Sequence, residues 1–120
     1  MPGNQDIAVF LSDIQRSICE ISDFVPAGMD FYAFQKDLKT RKAVERNIEI
    51  IGEAMARILK IAPQLPIEGA RKIVDTRNRI IHGYDTVSEE VLWAIITRDL
   101  SGLQRQVESL LEQMQPRRTP

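Results

Sequence analysis

Apolar residues recur at intervals of three and four through long segments of this chain, and no segment alternates apolar with polar residues. On a helix such spacing draws one apolar stripe along a single face, whereas a half-buried strand needs a period of two. Ile7, Phe10, Leu11, Ile14, Ile18, Ile21 and Val25 form the first stripe and predict a helix over 6–24, stopped by Pro26-Ala27-Gly28. Asp30 is placed to cap a short turn carrying Phe31, Tyr32 and Phe34. A longer helix is predicted over 37–61, on the stripe Val44, Ile48, Ile51, Met55 and Leu59, ended by Pro63 and Pro66. Gly52 and Ala56 flank that stripe. A glycine inside a helix costs up to about 1 kcal/mol relative to alanine, so small residues there suggest close approach by a neighbouring helix or a second subunit.

A third helix is predicted over 67–81, with Gly83 as its stop. Thr86-Val87-Ser88-Glu89 reads as a capping box, in which the threonine oxygen and Glu89 satisfy free backbone N–H groups reciprocally. The helix it opens is expected over 87–114, with Val91, Ile95, Leu103, Val107, Leu110 and Met114 inward. Long helices with short connections predict an all-α, up-and-down bundle over residues 1–115, and a frayed tail over 116–120.

A length of 120 residues suits one domain with one core, and 43% hydrophobic with 28% charged residues is the balance of a folded chain. The net charge of −1 supplies no global field for nucleic acid, so any RNA contact must rest on a local patch. The single cysteine, Cys19, permits no internal disulfide, which suits a reducing cytoplasm, and Cys19 itself is expected to be buried and inert. No signal-peptide pattern and no run of about 20 apolar residues is present, so no membrane association is expected.

Against this background residues 77–84, Arg-Asn-Arg-Ile-Ile-His-Gly-Tyr, stand out. Ala70, Ile73, Val74, Ile80 and Ile81 share one face of the third helix, and Arg77 lies in the middle of it. A guanidinium is not buried unpaired without a large desolvation cost. Arg77 is therefore either neutralised by a carboxylate, such as Glu49 or Glu53, or held there to receive an anion. The chain's one histidine, His82, lies five residues on. Arg71, Lys72, Arg77 and Arg79 face only Asp75, a local excess of positive charge. A guanidinium beside an imidazole is the pairing that phosphodiester cleavage needs. The first holds the phosphate and the charge added in the transition state. The second moves a proton to or from the attacking 2′-hydroxyl or the leaving 5′-oxygen.

A metal centre fits the residues less well. One histidine and one cysteine do not build a zinc site in one chain. Glu45, Glu49 and Glu53 recur every four residues but lack the Glu-x-x-His partner of a di-iron bundle, and read as a solvated or interface face. No cofactor is implied. Arg77 and His82 also stand about 140° apart on a regular helix. Either the helix loosens before Gly83 and swings His82 round, or one pocket combines motifs from two chains. Tyr84, beyond the glycine, can return to the Arg77 side.

Arg77-x-x-x-x-His82-x-Tyr84 resembles the Arg-x(4–6)-His motif of HEPN ribonucleases, and with Asn78 and Tyr84 it looks like the HepT toxins. Glu49-Ile50-Ile51-Gly52-Glu53-Ala54 is similar to a segment of that family's long helix, and Trp93 with Asp99-Leu100 to its last helix. The family's Pro-Trp before the motif helix is replaced here by Pro66-Ile67, a difference of packing. The resemblance implies a dimeric helical bundle with paired motifs facing a shared cleft. It implies a metal-independent endoribonuclease toxin acting on RNA, with Arg77 and His82 catalytic and Asn78 and Tyr84 positioning substrate. Its partner would be an MntA-like nucleotidyltransferase antitoxin that transfers AMP to Tyr84. An alternative carried by the same motif is a non-catalytic module that docks a nucleotidyltransferase and presents or receives a nucleotide. Taken singly, His82 also reads as a helix C-terminal residue facing the dipole, and Trp93 as core or dimer interface.

Overall fold

The computed structural model describes residues 3–83 and 88–114. Among these the only regular structure is helical, and the architecture is the expected all-α up-and-down bundle. The long helices are α1 (Asn4–Phe24), α3 (Leu38–Ile61), α4 (Ala70–Ile81) and α6 (Leu100–Met114), with short α2 (Phe31–Lys36) and α5 (Glu89–Ala94) between them. Helix α3 is central: α1 packs on one side of it and α4 on another, while α6 closes against α1. The predicted stripes meet there, with Leu11, Ile14, Ile18 and Ile21 of α1 and Val44, Ile48, Ile51 and Met55 of α3 almost fully buried. Burial of each such side chain contributes about 1.5–3 kcal/mol.

Helix starts follow local chemistry. Asp30 caps α2 by accepting from Ala33 N–H at 2.8 Å. Asp37 caps α3, accepting from the Thr40 N–H at 3.0 Å and from its hydroxyl at 2.7 Å. Helix α4 begins at Ala70 rather than 67. Pro66 biases Leu65 away from helix, and Gly69 takes the left-handed conformation (φ 78°), so the right-handed helix starts only after it. Ile67, buried to 7% exposure, anchors this linker to the core. At the start of α5 the cap is Ser88, which accepts from Val91 N–H at 3.3 Å. Glu89 turns instead to Arg41 of α3 in a 2.9 Å ion pair. Thr86 and Val87, in the expected box, lie outside the described residues, as do Tyr84 and the tail 116–120.

The predicted fourth helix is not uniform. One turn of π-helix, Ile95–Asp99, separates α5 from α6. The extra residue in that turn resets the inward face, so that Leu92 before it, Ile95 at its start and Leu100, Leu103 and Val107 after it are all buried. Asp99 is thereby turned outward to Lys72 of α4, at 2.9 Å. Trp93 packs against Phe34 and Phe31, ring centroids 5.2 and 6.1 Å away. Cys19 is exposed, not buried: it sits one residue, about 100°, off the Ile18 stripe. No described helix is long and apolar enough to cross a membrane.

Candidate active site

The site is built on the last two turns of α4. Helix α4 lies so close to α3 that a β-carbon on Gly52 would come 2.3 Å from the Arg77 Cβ and 3.0 Å from the Ile73 carbonyl oxygen. The close approach that Gly52 suggested is thus made by a helix of the same chain. Arg77 leaves α4 at this crossing, half-buried between the two helices.

No ion pair to Arg77 occurs among the described residues. Glu49 faces Arg46 on its own helix at 3.8 Å and Glu53 faces Arg57 at 3.2 Å. Glu45 is similarly taken by Lys42, at 3.7 Å. The structural alternative for Arg77, a carboxylate partner on α3, is therefore not realised, and the three glutamates line a salt-bridged surface. No cluster of three metal-binding side chains occurs among the described residues. The guanidinium donates one hydrogen bond, from Nη1 to the Asn78 side-chain Oδ1 at 2.8 Å. A guanidinium has five N–H donors, so this contact orients it without exhausting it.

His82 is the C-terminal cap of α4 (φ −85°, ψ −1°), and its N–H still bonds to the Asn78 carbonyl at 3.1 Å. The helix does not loosen before Gly83. Gly83 then takes φ 68° and donates to the Ile80 carbonyl, which turns the chain out of the helix. The His82 ring stands at the surface with Nδ1 2.6 Å from the same Asn78 carbonyl oxygen. A carbonyl only accepts, so Nδ1 carries the proton in this contact. No direct hydrogen bond joins Arg77 to His82. They are joined through Asn78, whose amide oxygen holds the guanidinium and whose backbone carbonyl holds the imidazole.

The neighbouring charges are uneven. Arg71 and Arg79 are exposed, whereas Lys72 is engaged by Asp99, which trims the cationic excess read from α4 alone. Ile81, placed on the apolar face by periodicity, is 46% exposed beside His82. A groove between Gly69, Lys72 and the π turn lies at the other end of α4, away from Arg77 and His82. Within the group Arg77 and Asn78 are half-buried and His82 is exposed.

An all-α bundle with an Arg-x4-His pair at the end of one helix has the form of a HEPN protein. The family model described as Ribonuclease HepT-like matches residues 14–110, and the chain belongs to that family. Relatives span nearly the whole chain. Putative RNase MJ0127 of Methanocaldococcus jannaschii is 31% identical over 115 residues, 92% of each chain. Probable ribonuclease HepT of Thermococcus cleftensis is 34% identical over 105 residues, covering 84% of this chain and 92% of its own. Putative RNase MJ1380 of Methanocaldococcus jannaschii is 31% identical over 107 residues, covering 88% and 97%. No solved structure matches the chain.

Proposed function

We propose that this protein is a metal-independent endoribonuclease toxin that cleaves RNA through Arg77 and His82. The observation that carries the reading is the double use of Asn78. One residue orients a guanidinium that has no carboxylate partner among the described residues, and fixes the tautomer of the neighbouring imidazole. In the proposed reaction Arg77 binds the scissile phosphate and stabilises the charge that develops on it. His82 Nε2 takes the proton of the attacking 2′-hydroxyl or returns one to the leaving 5′-oxygen.

Each chain has one histidine, so two proton transfers by imidazoles need two copies. A homodimer pairing two motifs across a cleft fits the exposed His82 and the exposed Ile81 beside it. Tyr84 is assigned to positioning substrate and to accepting AMP from an MntA-like nucleotidyltransferase antitoxin. A bulky anion at that position repels an RNA phosphate. These assignments rest on the motif and on family membership.

The test is cleavage of RNA by purified, unmodified protein in EDTA, beside Arg77→Ala and His82→Ala. Loss in both variants is expected; equal activity in all three rules the mechanism out. Intact mass after co-expression with the nucleotidyltransferase checks the regulation: additions in steps of one AMP, abolished in Tyr84→Phe, are expected.

A further inference from the structure

Gly52 lies in the middle of α3, buried, where its backbone is ordinary right-handed helix. Nothing in the backbone requires glycine, and glycine is a poor helix former. The reason for it is space. A β-carbon there would stand 2.3 Å from Arg77 Cβ, 2.9 Å from Arg77 Cγ and 3.0 Å from the Ile73 carbonyl oxygen. These atoms belong to the α4 backbone or lie next to it, so no side-chain rotation relieves the overlap; α4 itself must move. Of the three atoms, two belong to Arg77. The base of the arginine side chain therefore lies directly on Gly52, and the helix crossing dictates where its guanidinium emerges.

We infer that Gly52 is a positioning residue for Arg77: the missing side chain at 52 is the seat on which the arginine stem rests. The inference rests on the reading of Arg77 as the phosphate-binding group and extends it to a second helix. The Asn78–His82 contact lies wholly within α4 and moves with it. A β-carbon at 52 should therefore disturb where Arg77 points relative to the bundle and leave the His82 Nδ1 contact intact.

The experiment is a thermal-denaturation cycle on the full chain: wild type, Gly52→Ala, Arg77→Gly and the double variant. Gly52→Ala is expected to lower the midpoint by at least about 5 °C, the scale of an overpacked core. In the Arg77→Gly background the same substitution should shift it less than half as far. If Gly52→Ala does not fold, recovery of folding in the double variant carries the same meaning. Equal shifts in both backgrounds, or a double variant that also fails to fold, put the obstruction at the Ile73 carbonyl and overturn the inference. Where Gly52→Ala folds, its RNA cleavage should fall about tenfold or more in kcat/KM, as misplacement of a catalytic group predicts, while ¹⁵N NMR still shows the His82 Nδ1–H tautomer. Wild-type cleavage by that variant also overturns it. A wild-type chain that cleaves no RNA defeats the ribonuclease reading instead, and the thermal cycle still decides whether Gly52 seats Arg77.

Discussion

Replacing Arg77 with methionine separates a residue kept for chemistry from one kept for stability. The guanidinium gives up one hydrogen bond, to Asn78 Oδ1 at 2.8 Å, and no ion pair among the described residues. A bond from a charged donor is worth about 1.5–3 kcal/mol at most. The value here falls towards about 1 kcal/mol, because Asn78 is half-exposed and water can replace the lost donor. On the other side, a half-buried cation no longer has to be dehydrated, and the unbranched methionine stem can cover Gly52 much as the arginine stem does. These contributions oppose each other, so the net change in stability is within about 1 kcal/mol of zero, or a few degrees in Tm. Transition-state binding behaves differently: removing one preorganised donor to a developing oxyanion typically costs about 10²–10³ in rate, or roughly 3–4 kcal/mol. Thermal denaturation by circular dichroism and single-turnover cleavage of a labelled RNA in EDTA measure the two quantities on one preparation. A fall in Tm beyond about 10 °C would make Arg77 a structural residue. Cleavage within about threefold of wild type would remove it from the phosphate site, since oxyanion donors are worth far more.

Three further outcomes follow from the same contacts. Asn78→Ala removes the Arg77 tether but keeps the backbone carbonyl, so cleavage should fall about tenfold while ¹⁵N NMR of His82 still shows the Nδ1–H tautomer. Gly83→Ala places a β-carbon at φ 68°, so Tm should fall by an amount equivalent to about 1–2 kcal/mol, measured by calorimetry. The Thr40 N–H and hydroxyl hold the Asp37 carboxyl below its usual range, so its capping contributes fully above that range and is lost as pH falls from there through the lowered one. Between about pH 5 and 3, wild-type Tm should therefore drop more steeply than that of Asp37→Asn, whose amide keeps accepting from Thr40.

The stripes of α1 and α3 were legible because each runs unbroken at helical spacing, and the cap at Asp30 because a short acid before an apolar run has few other uses. The fourth helix was less legible for a definable reason. Its stripe has a gap between Ile95 and Leu103, because the positions three and four after Ile95 are Arg98 and Asp99 where a regular helix would carry an apolar residue. That gap is the trace of the π turn, which brings Leu100 into the core and sends Asp99 out to Lys72. Periodicity supposes one constant turn and so misses both residues. Cys19 was misplaced by type: cysteine is usually buried, but its position beside Ile18 puts it outside.

At the site, the charge of Arg77 in an apolar face was legible because nothing in the packing of α4 explains it. Two features beside it were not. A backbone carbonyl has no letter in a sequence, so the tether that sets the His82 tautomer was invisible, although the spacing of four from Asn78 to His82 is the one at which a helix presents a carbonyl to a side chain beyond it. The partner of Gly52 was invisible as well, because a small residue says that something comes near without saying what. Both features act on the same pair of side chains from different helices. Asn78 holds Arg77 and His82 in register along α4, and Gly52 sets the depth at which α4 meets α3. Damage at Asn78 should thus loosen the guanidinium with the helices still seated, whereas damage at Gly52 should move α4 with the imidazole still tethered. The two lesions are distinguishable because one leaves Tm near that of wild type and the other does not.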